Sequence, residues 1–492
     1  MTTSYDYRHL IIHLWDNITQ DFLPVGELYY LPTPASPARG SFCTFKYNQV
    51  HIALKCPSID PANLPLHVNS PVINSKHKDL LHPYFRMLLP GSFGNAFLSK
   101  AHPKWDSLSE AERLHIVSMT HTDFGALQLN PQYDKYNAPL TDENTLTLLV
   151  KSIRDFQRGE HTHNSAIEKL QGALCLAGST KPMVDYLKES NGKQRRYIVK
   201  LNSSGHYNDS RVSAALTSTQ RNAGISVCDS HVVNLDTSSD ETEDVLFSQN
   251  YTRQTSMDDA DINGKEPIYK YNRIPMSVLL EDDPTVANSK KPTYANVAQA
   301  IEKYSDNPNA DLEELFTRAF FSAATNHTSN NLSNIEMVDT GRGKWRLAPS
   351  YNNLPNPHNQ AEFDVSFPGG VACQSLLVID DSFVSRLSDS IGIDRQRGCV
   401  LAVNVCRALE GVERDMLIQG VPQGDMNTVN EIIPAQQLKD LSVKLEGIPI
   451  IKSLLNAASK SYNVVEEMNL GDGSKDPRPK PTANTLSTSM DR

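Results

Sequence analysis

The sequence predicts an α+β protein of two lobes, a mixed small lobe followed by a mainly α-helical large lobe, with a further α+β unit ahead of them. Three observations predict this. Residues 8–16, 25–31 and 195–201 alternate as strands do, and residues 382–391, 397–420 and 436–462 repeat at helical spacing. Between these regimes, residues 311–353 read in order as a helix, a polar loop, a hairpin and a second polar loop. A chain of 492 residues is too long for one core. The expected units are residues 1–165, 166–260 and 261–470, with residues 471–492 a disordered tail of Gly, Pro, Ser, Thr and charge without apolar periodicity.

The first unit opens with Val25-Gly26-Glu27-Leu28 and Phe42-Cys43-Thr44-Phe45-Lys46-Tyr47, read as paired antiparallel strands. Pro32, Pro34, Pro37 and Gly40 punctuate the loop between them. Pro83-Tyr84-Phe85-Arg86-Met87-Leu88-Leu89-Pro90-Gly91-Ser92 reads as a helix and turn. Asp123-Phe124-Gly125 has the wording of a kinase metal-binding tag but lies about 200 residues ahead of the catalytic-type loop rather than after it, so it is expected to be a turn into a strand.

The small lobe should begin with Leu176-Ala177-Gly178-Ser179-Thr180-Lys181-Pro182-Met183-Val184, a small-residue loop running into a strand. Backbone N–H groups of such a loop can cradle phosphate, and an ordinary tight turn has the same composition. Arg195 to Leu201 is a firmer strand carrying Lys200, either a phosphate contact or a solvated strand-end lysine. Arg211 to Ala223 is expected to be helical, and Gly224 to Val233 a turn and strand. Phe247-Ser248-Gln249-Asn250-Tyr251-Thr252-Arg253 would join the lobes. Residues 254–292, with Asp258, Asp259, Asp261, Glu281, Asp282 and Asp283, are expected to be a solvated surface excursion.

Asp311 to Ala324 places Leu312, Leu315, Phe316, Ala319, Phe320 and Ala323 on one helical face. The loop Thr325-Asn326-His327-Thr328-Ser329-Asn330-Asn331-Leu332-Ser333 follows. A hairpin then pairs Ile335-Glu336-Met337-Val338 with Trp345-Arg346-Leu347-Ala348 and ends in Pro349-Ser350-Tyr351-Asn352-Asn353. That order is the order of a kinase large lobe, where the first loop supplies a base and a metal ligand and the second a metal-binding Asp. Read alone, the two Asn-rich loops are also what ordinary polar turns look like.

Together these segments resemble the HipA-type toxin kinases, serine/threonine kinases of bacterial toxin–antitoxin pairs. Their loop reads A-T-D-G-H-A-K-N-F-S and their second motif P-x-Y-D. The resemblance runs from about residue 25 to about residue 355. It implies a kinase-like fold and places Ser179, Thr180, Lys181, Lys200, Gln249 and Tyr251 at the nucleotide. Asn326 stands at the catalytic Asp position, Asn352 at the metal Asp position, and Asn331 matches the family's metal-ligand Asn. Ser213 stands where the helix of family members carries the lysine's Glu partner. A neutral amide neither accepts a proton near pH 7 nor binds a hard cation as a carboxylate does. The resemblance with these departures therefore implies a pseudokinase of a toxin–antitoxin or mobile-element system, acting through nucleotide binding, protein binding or both, with ATP the candidate ligand and Mg²⁺ held poorly. Its alternatives are an active atypical kinase using a displaced carboxylate and an interaction module without a nucleotide site. Neither Asp339, at the hairpin tip, nor Asp364 has the spacing of a replacement acid. The implied partner is a small helix-turn-helix antitoxin or a related kinase.

Composition excludes other classes. A net charge of −10 argues against a surface dedicated to nucleic acid. Seven scattered cysteines without C-x-x-C spacing suit a reduced cytoplasmic chain without structural zinc, and His161-x-His163 has no Cys or Glu cluster beside it. Neither a signal peptide nor a membrane span is expected, because no basic stretch precedes an apolar run and no apolar run approaches spanning length.

Overall fold

The computed structural model describes residues 8–31, 43–66, 72–76, 80–120, 124–129, 140–159, 181–190, 193–203, 205–237, 242–255, 267–287 and 291–457. His161, His163, Ser179, Thr180 and the expected tail from residue 471 lie outside them.

Strand alternation in the first unit becomes a five-stranded antiparallel sheet of order β4-β3-β2-β1-β5. Its strands are β1 (Arg8–Asp16), β2 (Asp21–Tyr30), β3 (Cys43–Tyr47), β4 (Val72–Asn74) and β5 (Leu127–Leu129). The expected antiparallel pairing is present, and its register sets Gly26 opposite Tyr47 and Leu28 opposite Phe45. Helices α1 (Ser92–Ala101), α2 (Glu110–Thr120) and α3 (Glu143–Gln157) accompany the sheet. One end of α3 turns Phe156 onto Phe93 and Phe97, while Arg154 reaches Glu243 of the next sheet, so α3 bridges the two.

Phe124-Gly125 is indeed a turn into β5. Gly125 has φ +65°, and a Cβ there would lie 2.6 Å from the Tyr271 carbonyl oxygen, which also accepts from the Ala126 amide at 3.1 Å. Close approach of two backbones, not metal chemistry, explains this glycine. Gly125→Ala should lower unfolding free energy by about 1–3 kcal/mol, read from chemical denaturation, because both the left-handed backbone and the clash oppose it.

The second sheet has order β6-β7-β9-β8, from β6 (Met183–Ser190), β7 (Lys193–Leu201), β8 (Ser230–Asp236) and β9 (Thr242–Gln249). Helix α4 (Asp209–Asn222) lies between β7 and β8 in the chain, started by Asn208, whose side chain accepts from the Arg211 amide.

Residues 256–266, with Asp258, Asp259 and Asp261, and residues 288–290 lie outside the described residues; the described part of 254–292 departs from the expected surface excursion. Strands β10 (Arg253–Thr255) and β11 (Ile268–Lys270) pair, and β12 (Arg273–Pro275) joins the central hairpin as a third strand, with Ile274 opposite Met337. Ile274, Met276, Val278, Leu279 and Leu280 are buried. Two of the acids that suggested a solvated face meet basic side chains of the first unit: Glu281 pairs with Arg86 at 2.5 Å and Asp282 with Lys76 at 2.6 Å. Charge density had masked a short apolar run that other parts of the chain bury.

The large lobe is built from α5 (Tyr294–Tyr304), α6 (Pro308–Ala324), the hairpin β13 (Glu336–Asp339) and β14 (Trp345–Leu347), and a second hairpin β15 (Glu362–Phe367) and β16 (Val371–Cys373). Helices α7 (Asp381–Ile391), α8 (Arg395–Glu410), α9 (Val412–Ile418), α10 (Gln423–Ile432) and α11 (Ala435–Glu446) complete it. The helix expected over 397–420 is interrupted at Gly411, and that expected over 436–462 stops at Glu446 before helix resumes at 449–457. The six apolar residues singled out on α6 are all buried, and Phe320 packs on Phe383, which meets Phe367. Burying each such ring contributes about 1.5–3 kcal/mol. This core fixes the C-terminal end of α6, from which the central polar loop departs. Among the described residues, no helix is long and apolar enough to cross a membrane.

Candidate functional site

Lys200 ends β7 facing the second polar loop. Its ammonium donates to the Tyr351 carbonyl at 2.6 Å and lies 5.3 Å from the centre of the Tyr351 ring. This is a part-buried, engaged lysine rather than a solvated strand end. Burial lowers its pKa from 10.5 to about 8; Cys228 raises it again in part, and Lys181 adds to the lowering. Ser213 is buried on α4, and the lysine's hydrogen-bond partner is a backbone carbonyl in place of a carboxylate. Lys181 stands 3.5 Å from Asp209, which also accepts from the Ser203 amide and hydroxyl.

The connection after β9 is committed internally. The Gln249 amide donates to Asp229, that of Asn250 to Arg196, and those of Thr252 and Arg253 to the Asn250 side chain and carbonyl. The Tyr251 ring stacks on Tyr351 at 5.9 Å, and its hydroxyl donates to Glu336.

Glu336 and Arg273 were missed as site residues. Glu336 is 2% exposed, ion-paired to Arg273 and bonded by Tyr251. Burial pushes its carboxyl up to about 8, opposed by a hydrogen bond from Tyr351. Burial and the neighbouring Glu336 hold the Tyr351 hydroxyl well above its usual range. One signal was present: an acid standing among Ile335, Met337 and Val338 in a strand otherwise apolar there.

The loop leaving α6 is buried despite its polarity, because its groups are bonded. Thr325, Asn326, His327, Thr328 and Asn330 are all buried. Asn326 adopts φ +51° and donates its Nδ2 to the carbonyls of Asn356 at 2.5 Å and His358 at 3.3 Å, while its carbonyl accepts from the Asn356 amide. Its Oδ1 is buried without a hydrogen-bond partner. Exchanging the two amide atoms would set oxygen against two carbonyl oxygens, so the assignment follows from the surroundings. His327 is bonded through Nδ1 to the Leu354 carbonyl, and burial lowers its pKa. Asn331 turns inward on its own loop, accepting from the Asn334 amide at 3.0 Å. Asp339 accepts from the amides of Gly341 and Gly343 and so closes the hairpin turn, as its tip position implied.

The second loop is tied to both lobes. Ser350 exchanges backbone bonds with Ser226 and Cys228, and Asn353 donates to Gln220 on α4. Asn352 is part-exposed beside them. The fold thus gathers Lys200, Tyr251 and the Tyr351-Asn352 segment, and it bonds Asn326 to Asn356, four residues beyond Asn352. Asp364 comes to the flank of the first loop through β15: its amide donates to the Thr328 carbonyl, and its charge offsets part of the lowering that burial imposes on the His327 pKa.

Residues 169–409 match the HipA-like C-terminal domain. Among solved structures, the chain is similar to a HipA from Shewanella oneidensis MR-1, described in a toxin–antitoxin complex with HipB and operator DNA. The TM-score is 0.59 at 13% identity, covering 91% of this chain and 99% of that one. A weaker likeness is to the proinflammatory kinase CtkA of Helicobacter pylori, with TM-score 0.32 and 10% identity over 52% of this chain and 94% of that one. No curated protein matches.

Proposed function

The chain belongs to the HipA-like toxin–antitoxin family through residues 169–409, and from that premise we propose that it is a pseudokinase that acts by binding. The observation that carries this is the commitment of Asn326. Where a phosphotransferase of this fold needs an acceptor for the substrate proton, this loop presents an amide donor already bonded to two carbonyls. The three motif positions, Asn326, Asn331 and Asn352, carry no carboxylate and suit Mg²⁺ poorly. Loss of the base alone slows such a reaction by about 10² to 10⁴. Lys200 and the Ser179-Thr180-Lys181 loop remain the elements for nucleotide phosphates. The partner consistent with this reading is a cytoplasmic helix-turn-helix antitoxin or a related kinase, since the Shewanella protein is described with HipB.

The test is incubation with γ-labelled ATP and Mg²⁺. No label should enter the protein or added substrates; incorporation abolished by Lys200→Ala would overturn the reading. Thermal unfolding with millimolar ATP separates nucleotide binding from a purely structural role, since ligand at about 100 times its dissociation constant stabilises by about 2.7 kcal/mol. The position of Asp364 beside Thr328 favours one competing reading, a displaced acid. If label is incorporated and Asp364→Asn removes it, that reading replaces ours.

A further inference from the structure

One residue touches both of the groups that a nucleotide in this cleft would have to reach. The Tyr351 carbonyl accepts from the Lys200 ammonium at 2.6 Å, and the Tyr351 ring centre lies 5.3 Å from that ammonium. The same ring stacks on Tyr251, in the connection after β9, with centroids 5.9 Å apart and planes 21° from parallel. Tyr351 therefore engages at once the lysine that would meet phosphates and the connection that would meet a base.

The two rings are fastened as well as stacked. Glu336 accepts from the Tyr251 hydroxyl, is bonded by Tyr351, and pairs with Arg273 of β12. It is 2% exposed, so water competes little for these bonds. The backbone beyond Tyr351 is tied down too: Asn353 donates to Gln220 on α4, and the Asn356 amide to the Asn326 carbonyl. A tyrosine in a cleft can also serve as a floor on which a base stacks. Here one face of the Tyr351 ring is already given to Tyr251, and its carbonyl already holds the ammonium that phosphates would need.

Resting on the nucleotide-binding reading above, we propose that Tyr351 is a built-in plug of the cleft. Nucleotide binding and the contacts of Tyr351 with Lys200 and Tyr251 exclude each other, so a nucleotide must displace residues 350–356 to enter. Occupancy of the site is thereby coupled to the segment that ties the second polar loop to α4 and to Asn326. A closed form favoured tenfold over the open one weakens the apparent affinity about tenfold.

The experiment is calorimetric titration of the full chain with ATP, as wild type, Tyr351→Ala and Tyr251→Phe. The last keeps both rings and removes only the tether to Glu336. Tyr251→Phe should bind ATP about fivefold more tightly than the wild type, and Tyr351→Ala about tenfold more tightly. In the wild type, saturating ATP should speed amide hydrogen exchange over residues 350–356. If the wild type binds ATP and the variants bind it equally or more weakly, Tyr351 is a floor for the base; the plug is overturned and the nucleotide site stands. If none of the three proteins binds ATP, the plug and the nucleotide site fall together. If Tyr351→Ala does not fold, Tyr251→Phe and the exchange rates decide.

Discussion

Between pH 8 and 10.5 the wild type should gain about 3 kcal/mol of stability that Lys200→Met does not gain. Burial lowers the Lys200 pKa from 10.5 to about 8, so within that window the unfolded chain holds a proton there that the folded chain has shed. Stability contributed by this group therefore rises with pH. Below pH 8 the penalty of burying the charge is present in full, at about 1.4 kcal/mol per pH unit of displacement. Methionine fills similar space without charge, so at pH 7 the variant should be as stable as the wild type or more so. Tyrosines and cysteines also titrate in alkali, so the quantity to measure is the difference between the two proteins in urea unfolding across the pH series. Parallel curves would mean that the ammonium is as well solvated folded as unfolded, and that its contact with the Tyr351 carbonyl is no real constraint on the cleft.

Asn326→Asp, the substitution that would nominally restore a catalytic acid, should instead destabilise the protein by about 3–5 kcal/mol near neutral pH and restore no phosphoryl transfer. A carboxylate has nothing to donate to the Asn356 and His358 carbonyls that the amide now satisfies, and it would sit charged at a position that is 1% exposed. Protonation relieves part of this, because a carboxylic acid can donate to one carbonyl, so the deficit should shrink from pH 8 to pH 5. Asn326→Ala separates the causes: it loses the hydrogen bonds without introducing charge and should cost about 1–3 kcal/mol. Unfolding of the three proteins at the two pH values reads this directly. An Asn326→Asp protein as stable as the wild type, or one that labels a substrate, would show that the position is still open as a base.

Much of the frame was legible because it is written in periodicity. The apolar face of α6 runs at helical spacing, and β2 and β3 pair antiparallel as their alternation implied. Segments whose burial depends on distant partners were not legible. Met276 to Leu280 looked like part of an acidic surface because Glu281 and Asp282 find Arg86 and Lys76 far away in sequence. The β15–β16 hairpin went unread, as did α10, and Gly411 divides what spacing alone made one helix. At the site, motif order named Lys200, Tyr251 and the two Asn-bearing loops, but it could not show that Tyr251 joins Glu336, Arg273 and Tyr351 in one cluster or that Lys200 bonds the Tyr351 carbonyl.

Residue identity alone determined that carboxylates are missing at positions 326 and 352, since no conformation gives an amide the charge or basicity of an acid. Folding decided what the amide at 326 does instead. Hydrogen bonding depends on which carbonyls lie within about 3 Å, and those of Asn356 and His358 reach Asn326 only when a segment some thirty residues away folds back over the loop.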